Sequence, residues 1–183
     1  MLYHDIKSEL KEYLDPNEVL IWIGEPKTGI IFRPYDIFII PFSLLWCGFA
    51  IFWMIMAAQG SIFFALFGVP FVIVGLMFVF GRFILDARMR ANTIYGLTED
   101  RIIIKSGISS KKINSINIKA LPEIEYTEKA DGSGTIMIGP KNPMMMMANG
   151  MNWMPGNKFN PSLDMIPEVR KVYTMIIEQQ RKK

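Results

Sequence analysis

The chain has 183 residues, with twenty Lys and Arg, seventeen Asp and Glu, one His and one Cys, and 51% of its residues are hydrophobic. A single cysteine excludes an internal disulfide, and one His beside it provides no triad and no metal-ligand cluster. No phosphate-binding loop or dinucleotide fingerprint occurs either. We therefore expect a protein that is not an enzyme, with no metal, no cofactor and no nucleic-acid partner.

Residues 1–36 are acidic, with seven acidic and four basic side chains. Apolar residues at helical spacing predict a short helix over residues 5–14, and the β-branched and aromatic run at 18–24 predicts a strand. The segment has no small-residue cleavage pattern of a secretory signal. We therefore expect the apolar segments that follow to remain in the mature protein.

The next forty-five residues, Ile37 to Gly81, contain no Asp, Glu, Lys or Arg. A Gln-Gly-Ser break at 59–61 divides them into segments 37–58 and 62–81, which as helices would measure roughly 33 and 30 Å, about one hydrocarbon core. A buried hairpin of a soluble protein would show polar residues at helical spacing, and neither segment does. The sequence predicts a two-span transmembrane hairpin, kinked at Pro70.

Basic residues flank this hairpin on one side only. Lys27 and Arg33 precede it, Arg82, Arg88 and Arg90 follow it, and the connecting turn has no basic residue. The positive-inside rule then predicts a multi-pass protein of the cytoplasmic membrane with both termini in the cytoplasm. Because the spans carry no ionisable residue except the cysteine, we expect an anchor and no ion pathway. Cys47 itself is interpreted as a small packing residue.

Residues 82–183 have sixteen basic and ten acidic side chains. Arg82, Asp86 and Arg90 lie four residues apart, which predicts a helical continuation with ion pairs along the helix. Period-two patterns then predict strands at 93–97, 101–105, 112–118, 123–128 and 134–138. An apolar stripe from Ile166 to Ile177 predicts a C-terminal amphipathic helix, capped by Ser162 or Asp164.

Four motifs resemble the bacterial pleckstrin-homology (PH) domain membrane proteins. They are Gly-Glu-Pro at 24–26, Thr-Ile-Tyr-Gly-Leu-Thr-Glu-Asp-Arg-Ile-Ile-Ile at 93–104, Ser-Ile-Asn-Ile-Lys at 115–119 and Asp-Gly-Ser-Gly-Thr-Ile at 131–136. The resemblance implies a membrane α+β protein: a cytoplasmic segment 1–36, a transmembrane hairpin 37–81, and a cytoplasmic PH-like antiparallel β-sandwich or barrel with a C-terminal helix at 82–183. It also implies binding or assembly rather than catalysis. The four methionines at 144–147 depart from the mixed aromatic and polar residues expected there.

Two sets of residues are candidate binding sites. The first is basic and comprises Arg88, Arg90, Arg101, Lys105, Lys111 and Lys112. It would form a specific lipid-headgroup site, a nonspecific contact with anionic lipid, or an ordinary solvated face. The second is apolar and comprises Met144, Met145, Met146, Met147 and Trp153. It would contact the membrane or a partner, belong to the core, or bind Cu(I) through its thioethers.

The sequence as a whole predicts a non-enzymatic, membrane-anchored binding or scaffolding module. Its candidate partners are membrane lipids, another protein, or further copies of the chain in a homo-oligomer. An alternative is an accessory subunit of a membrane transporter or enzyme complex, and an enzyme that turns over lipid is the third choice.

Overall fold

A computed structural model describes residues 3–33, 35–108, 110–139 and 161–182. The described residues fall into two compact units. Residues 29–33 and 35–87 form one, which we call the hairpin unit. Residues 3–28 group with those from 88 onward to form the other, which we call the sandwich unit.

The hairpin unit consists of two long apolar helices joined at Ser61. The first is α2 (Asp36–Gly60), and the second runs through α3 (Ile62–Leu66), α4 (Val69–Leu76), a π-helical turn (Met77–Gly81) and α5 (Arg82–Ala91). The two helices measure 25 and 30 residues. They confirm the predicted helix pair, and α4 begins at the residue before Pro70, where a missing N–H is tolerated. The regular α-helix is thus interrupted at residues 67–68, just before Pro70.

Small residues let the two helices approach closely. A Cβ added at Gly75 would lie 3.0 Å from the Cβ and 3.3 Å from the Cα of Cys47. Cys47 is buried, which agrees with a packing role. In contrast, only 17% and 22% of the most apolar windows of the two helices are buried. So large an exposed apolar surface requires an apolar environment or a partner.

The sandwich unit contains two antiparallel sheets and two helices. The first sheet has the order β1 (Trp22–Gly24), β2 (Ile94–Leu97), β3 (Arg101–Ser106), β4 (Lys112–Asn117). The second has the order β5 (Ile124–Glu128), β6 (Gly134–Ile138), β7 (Ser162–Ile166). The helices are α1 (Tyr3–Lys11) and α6 (Val169–Arg181). These elements confirm the predicted antiparallel sheets and C-terminal helix.

The main core lies between the two sheets and α6. Its buried side chains include Tyr95 and Ile104 from the first sheet, Ile136 and Ile166 from the second, and Ile176 from the helix. The Tyr95 hydroxyl accepts a hydrogen bond from the backbone N–H of Asp164 at 2.9 Å. β6 alternates between buried and half-buried residues, as the period-two pattern predicts, whereas β2 and β3 are buried on both faces.

A second, smaller core lies on the outer face of the first sheet, under α1. Ile6 and Leu10 of α1 pack there against Ile94 and Ile103. Gly96 leaves room here, because an added Cβ would lie 3.0 Å from Leu20 Cδ2 and 3.2 Å from Leu10 Cδ1, closer than ordinary contact. The predicted domain boundary at residue 82 separated these elements. In the structure the first 28 residues belong with those from 88 onward, because β1 and α1 are held by pairing and packing with strands distant in sequence.

The start of the C-terminal helix also differs from the prediction. Ser162 or Asp164 was predicted to cap the helix, and Ile166 was predicted to lie in its apolar stripe. Instead Ser162–Ile166 is β7, which pairs with β6, and the helix begins at Val169. Glu168, just before it, has a left-handed conformation with φ +49°. Burial of Leu163 and Ile166 in the main core favours the strand, and the local spacing of apolar residues does not reveal that contact.

Candidate functional site

Arg101, one of the predicted binding residues, is held by the N-terminal segment. Its Nε donates to Glu18 Oε1 at 2.8 Å, and its Nη2 donates to Glu18 Oε2 at 2.6 Å. Thr98 Oγ1 also donates to Glu18 Oε1, at 2.7 Å. Arg101 Nη2 further donates to the carbonyl oxygen of Tyr13 at 3.1 Å. This bidentate pair joins the segment before β1 to the beginning of β3.

The hydrogen bonds within this pair stabilise the charged forms of both Glu18 and Arg101. The hydrogen bonds from Arg101 lower the pKa of Glu18 to about 2, against an opposing effect of burial. The hydrogen bond to Glu18 likewise raises the pKa of Arg101. Both groups are therefore charged at neutral pH and occupied with each other, so Arg101 is a structural residue here.

Two further predicted residues are buried. Lys105, 6% exposed, forms an ion pair with Glu9 of α1, and its Nζ lies 5.8 Å from the ring centroid of Tyr13. Arg90, 4% exposed, donates to the backbone oxygen of Lys27. Like Arg101, these residues hold the N-terminal segment in place. Sequence reasoning placed them on a basic surface because it did not pair the acidic N-terminal segment with β3.

The other basic candidates are exposed. Arg88 lies on α5, Lys111 is the last residue of the turn between β3 and β4, and Lys112 is the first residue of β4. Beside the lysines, Ile108 is 49% exposed and Ile113 is 38% exposed. We call residues 108 and 110–113 the β3–β4 tip. It combines positive charge with exposed apolar side chains.

The second predicted set, Met144 to Met147 with Trp153, lies outside the described residues. Its contact with membrane, partner, core or metal stays a prediction. Among the described residues, no group of three His, Cys, Asp or Glu side chains could hold a metal ion.

The hairpin unit has a cluster of four charged residues that we call the hairpin-base cluster: Arg33, Asp36, Arg82 and Asp86. Arg82 Nη1 lies 2.7 Å from Asp36 Oδ1, and the two side chains are 4% and 5% exposed. The backbone N–H of Arg33 donates to Asp36 Oδ2 at 2.8 Å, and Arg33 Nη2 donates to Asp86 Oδ1 at 3.0 Å. The predicted pairing of Arg82 with Asp86 is replaced by a pairing with Asp36. A lone Asp at the edge of a long apolar run was the only sequence signal for it.

Aromatic rings surround the Arg82 guanidinium. Its Cζ lies 4.5 Å from the ring centroid of Phe83 and 6.0 Å from that of Tyr35. Burial raises the pKa of Tyr35 to about 12, so its phenol is neutral. Stacking on aromatic faces is an arrangement for which the planar guanidinium is suited.

The hairpin unit also has an apolar groove between its two helices. Its volume is about 270 Å³, and it is lined by Trp46, Phe49, Ala50, Trp53, Gly68 and Phe71. Its lining side chains are all apolar or glycine. The groove therefore fits an apolar chain or helix rather than a polar ligand.

Two antiparallel sheets with a C-terminal helix, joined to two long apolar helices, define a PH-like domain attached to an apolar helical hairpin. The family model described as bacterial PH domain matches residues 36–179. The chain therefore belongs to the bacterial PH domain family, which confirms the resemblance noted in its motifs. No curated protein and no solved structure matches the chain significantly.

Proposed function

We propose that the protein is a non-enzymatic, membrane-anchored module whose PH-like domain contacts anionic lipid at the cytoplasmic face of the membrane. The observation that carries this proposal is the β3–β4 tip, where Lys111 and Lys112 are exposed beside the exposed Ile108. Positive charge attracts such a surface to anionic headgroups, and an apolar side chain can enter the interface. The lysines are also distinct from Arg101 and Lys105, which ion pairs hold inside the sandwich unit.

The hairpin unit supports the anchoring part of the proposal. Its helices are 25 and 30 residues long, with mean hydropathies of 2.1 and 2.7 in their most apolar windows. Both exceed the about 20 residues needed to cross a hydrocarbon core. Basic residues lie beyond the open end of the hairpin, and the turn at Ser61 has no charged neighbour. This asymmetry favours a cytoplasmic sandwich unit.

Anchoring explains how two lysines would suffice for function. A Lys near an anionic surface contributes about 1 kcal/mol, which is too weak to recruit a free domain. A domain tethered to the same membrane has a high effective concentration there, so a weak contact becomes populated. The contact would respond to the lipid composition and would orient the domain for a protein partner or another copy of the chain.

The first prediction concerns the environment of the tip. The full chain is labelled with the environment-sensitive fluorophore NBD at Ile108→Cys, and Cys47→Ser prevents labelling elsewhere. The labelled chain is placed in nanodiscs of phosphatidylcholine, either with or without phosphatidylglycerol. We expect a blue shift of the NBD emission only with the anionic lipid, because the tip then enters the interface. High salt should reverse the shift by screening, and Lys111→Glu with Lys112→Glu should abolish it.

The matched control places the same label at Thr127→Cys, an exposed position on β5. No shift is expected there in either lipid. Absence of a shift at residue 108 in both lipids would contradict the lipid contact and make a protein partner the leading function. An equal shift in both lipids would assign the contact to apolar insertion without charge recognition.

The apolar groove favours a second function, that of an accessory subunit of a membrane transporter or enzyme. Phe49 lines the groove. When it is replaced by a photo-crosslinking amino acid, we expect an adduct with another protein in native membranes. The same group at Phe63, exposed on α3, should give none. One adduct of fixed stoichiometry that also co-purifies without crosslinking would support the accessory role. Lipid adducts alone would contradict it.

A further inference from the structure

Arg82 has two buried donors without an acceptor. Its Nη1 lies against Asp36, whereas its Nε and Nη2 are buried and donate to no acceptor among the described residues. Buried guanidinium N–H groups are nearly always hydrogen-bonded, because burial removes the water that would otherwise accept from them. The arrangement therefore indicates an acceptor that comes from outside the protein.

The identity of the two donors indicates what that acceptor is. The Nε–H and Nη2–H bonds of a guanidinium point in parallel from one edge, and this edge matches the oxygens of a carboxylate or a phosphate. Arg101 shows the same edge when it is occupied, with Glu18 oxygens 2.8 and 2.6 Å from its Nε and Nη2. In Arg82 that edge is empty of protein acceptors. Asp86 is paired with Arg33, and Asp36 lies against Nη1 of Arg82, although its Oδ1 is itself buried without a hydrogen bond.

A small cavity adjoins this cluster. Its volume is about 10 Å³, and it is lined by Ile31, Tyr35, Phe83 and the four charged residues of the hairpin-base cluster. Such a space accommodates one oxygen atom, which both N–H groups can share. It would admit one oxygen of a phosphate group while the rest of that group remains outside.

The location of Arg82 favours phosphate over carboxylate. Asp36 is the first residue of α2, and Arg82 directly follows Gly81, the last residue of the uncharged run. Both therefore lie toward the open end of the hairpin, at the two limits of the uncharged run, and the second helix continues to Ala91. In a hairpin that crosses a bilayer, as proposed above, this end lies at the level of the lipid phosphates.

We propose that the Nε and Nη2 edge of Arg82 binds a phosphate oxygen, supplied by the phosphodiester group of a membrane lipid. The site lies in the hairpin unit and is independent of the β3–β4 tip. It would fix the hairpin at a defined depth, because a bidentate donor pair holds the phosphate in one position. The site rests on membrane insertion of the hairpin, which is measured separately below.

The test is a ¹⁵N–³¹P dipolar dephasing experiment by solid-state NMR on the full chain with ¹⁵N-labelled arginine in phospholipid bilayers. We expect one Nε signal to be dephased by lipid phosphorus and to disappear in Arg82→Lys, which keeps the charge beside Asp36 but has no Nε–H fork. The same signal should persist in Arg101→Lys, because in the wild type the Nε and Nη2 edge of Arg101 is already occupied by Glu18. It should also persist in Arg88→Lys, which removes an exposed arginine.

A second sample distinguishes the two sources of phosphate. It contains the chain in a phosphate-free glycolipid bilayer with inorganic phosphate added. Dephasing with phospholipid but not in this sample supports a lipid site, and dephasing in both supports the phosphate-binding edge with either source. Dephasing with inorganic phosphate alone would overturn the lipid ligand. No Arg82 dephasing in either sample would overturn the site and leave a buried water as the acceptor.

Membrane insertion is checked in parallel by alkaline extraction of the wild-type chain and of Arg82→Lys. Wild-type chain that remains in the membrane but shows no dephasing contradicts the site alone. Wild-type chain that is extracted contradicts the membrane anchor, and the site with it. Because the signal is assigned to Arg82 by its loss in Arg82→Lys, the Nε signals of the other arginines should remain unchanged in that variant, which shows that it is folded.

Discussion

Replacing Asp36 with Ala is expected to destabilise the hairpin unit by about 3–5 kcal/mol, the usual cost of leaving a buried charge without its partner. Arg82 would keep its buried position but lose the carboxylate 2.7 Å from its Nη1. The backbone N–H of Arg33 would lose its acceptor as well. Detergent-induced unfolding of the purified chain, followed by far-ultraviolet circular dichroism, measures the loss.

A double variant separates charge from packing. Asp36→Leu with Arg82→Met replaces the pair by apolar side chains, and buried ion pairs replaced in this way often keep their stability. We therefore expect the double variant to recover most of what Asp36→Ala loses. Asp100→Ala is the matched control, because the pair of Asp100 with Lys119 is 67% and 58% exposed and should contribute about 0–1 kcal/mol. Equal instability of the single and double variants would contradict the charge argument.

Acidification is expected to weaken the sandwich unit through Glu18. Its pKa is lowered from 4.5 to about 2, so the folded state favours the carboxylate. The stabilisation is then complete above pH 4.5 and is lost as the pH falls from 4.5 to about 2. A shift of this size corresponds to about 3 kcal/mol. Because Arg101 is 24% exposed and partly screened by water, we expect about 2 kcal/mol.

The measurement is hydrogen exchange of the β1 and β2 amides as a function of pH, corrected for the intrinsic exchange rate. Glu18→Gln should lose about 2 kcal/mol at pH 7 and show little further loss on acidification, because it cannot ionise. Asp131→Asn is the control. Hydrogen bonds from Lys27 and Ser133 hold the pKa of Asp131 well below its usual range, but its side chain is 49% exposed. Because water screens so exposed a pair, this variant should leave the pH dependence of the β1 and β2 amides unchanged. An unchanged pH dependence in Glu18→Gln would assign the acid sensitivity to another carboxylate.

The sequence determined the elements whose signal is local. Forty-five uncharged residues require long apolar helices, and the structure contains them at 36–60 and 62–91. Period-two patterns predicted five strands between residues 93 and 138, and the structure has a strand at each of these places. The motifs in those strands also carried the family resemblance that the match to residues 36–179 confirms.

Only the tertiary structure decided which distant segments meet. β1 and α1 join the sheet from the N-terminal side of the hairpin, and β7 forms where local spacing favoured a helix. The roles of the charged residues were decided in the same way. Arg101, Lys105 and Arg82 became structural partners of Glu18, Glu9 and Asp36, whereas Lys111 and Lys112 stayed exposed. Composition shows how many charges a segment carries, but the partner of each depends on distances of a few ångströms that exist only in the folded chain.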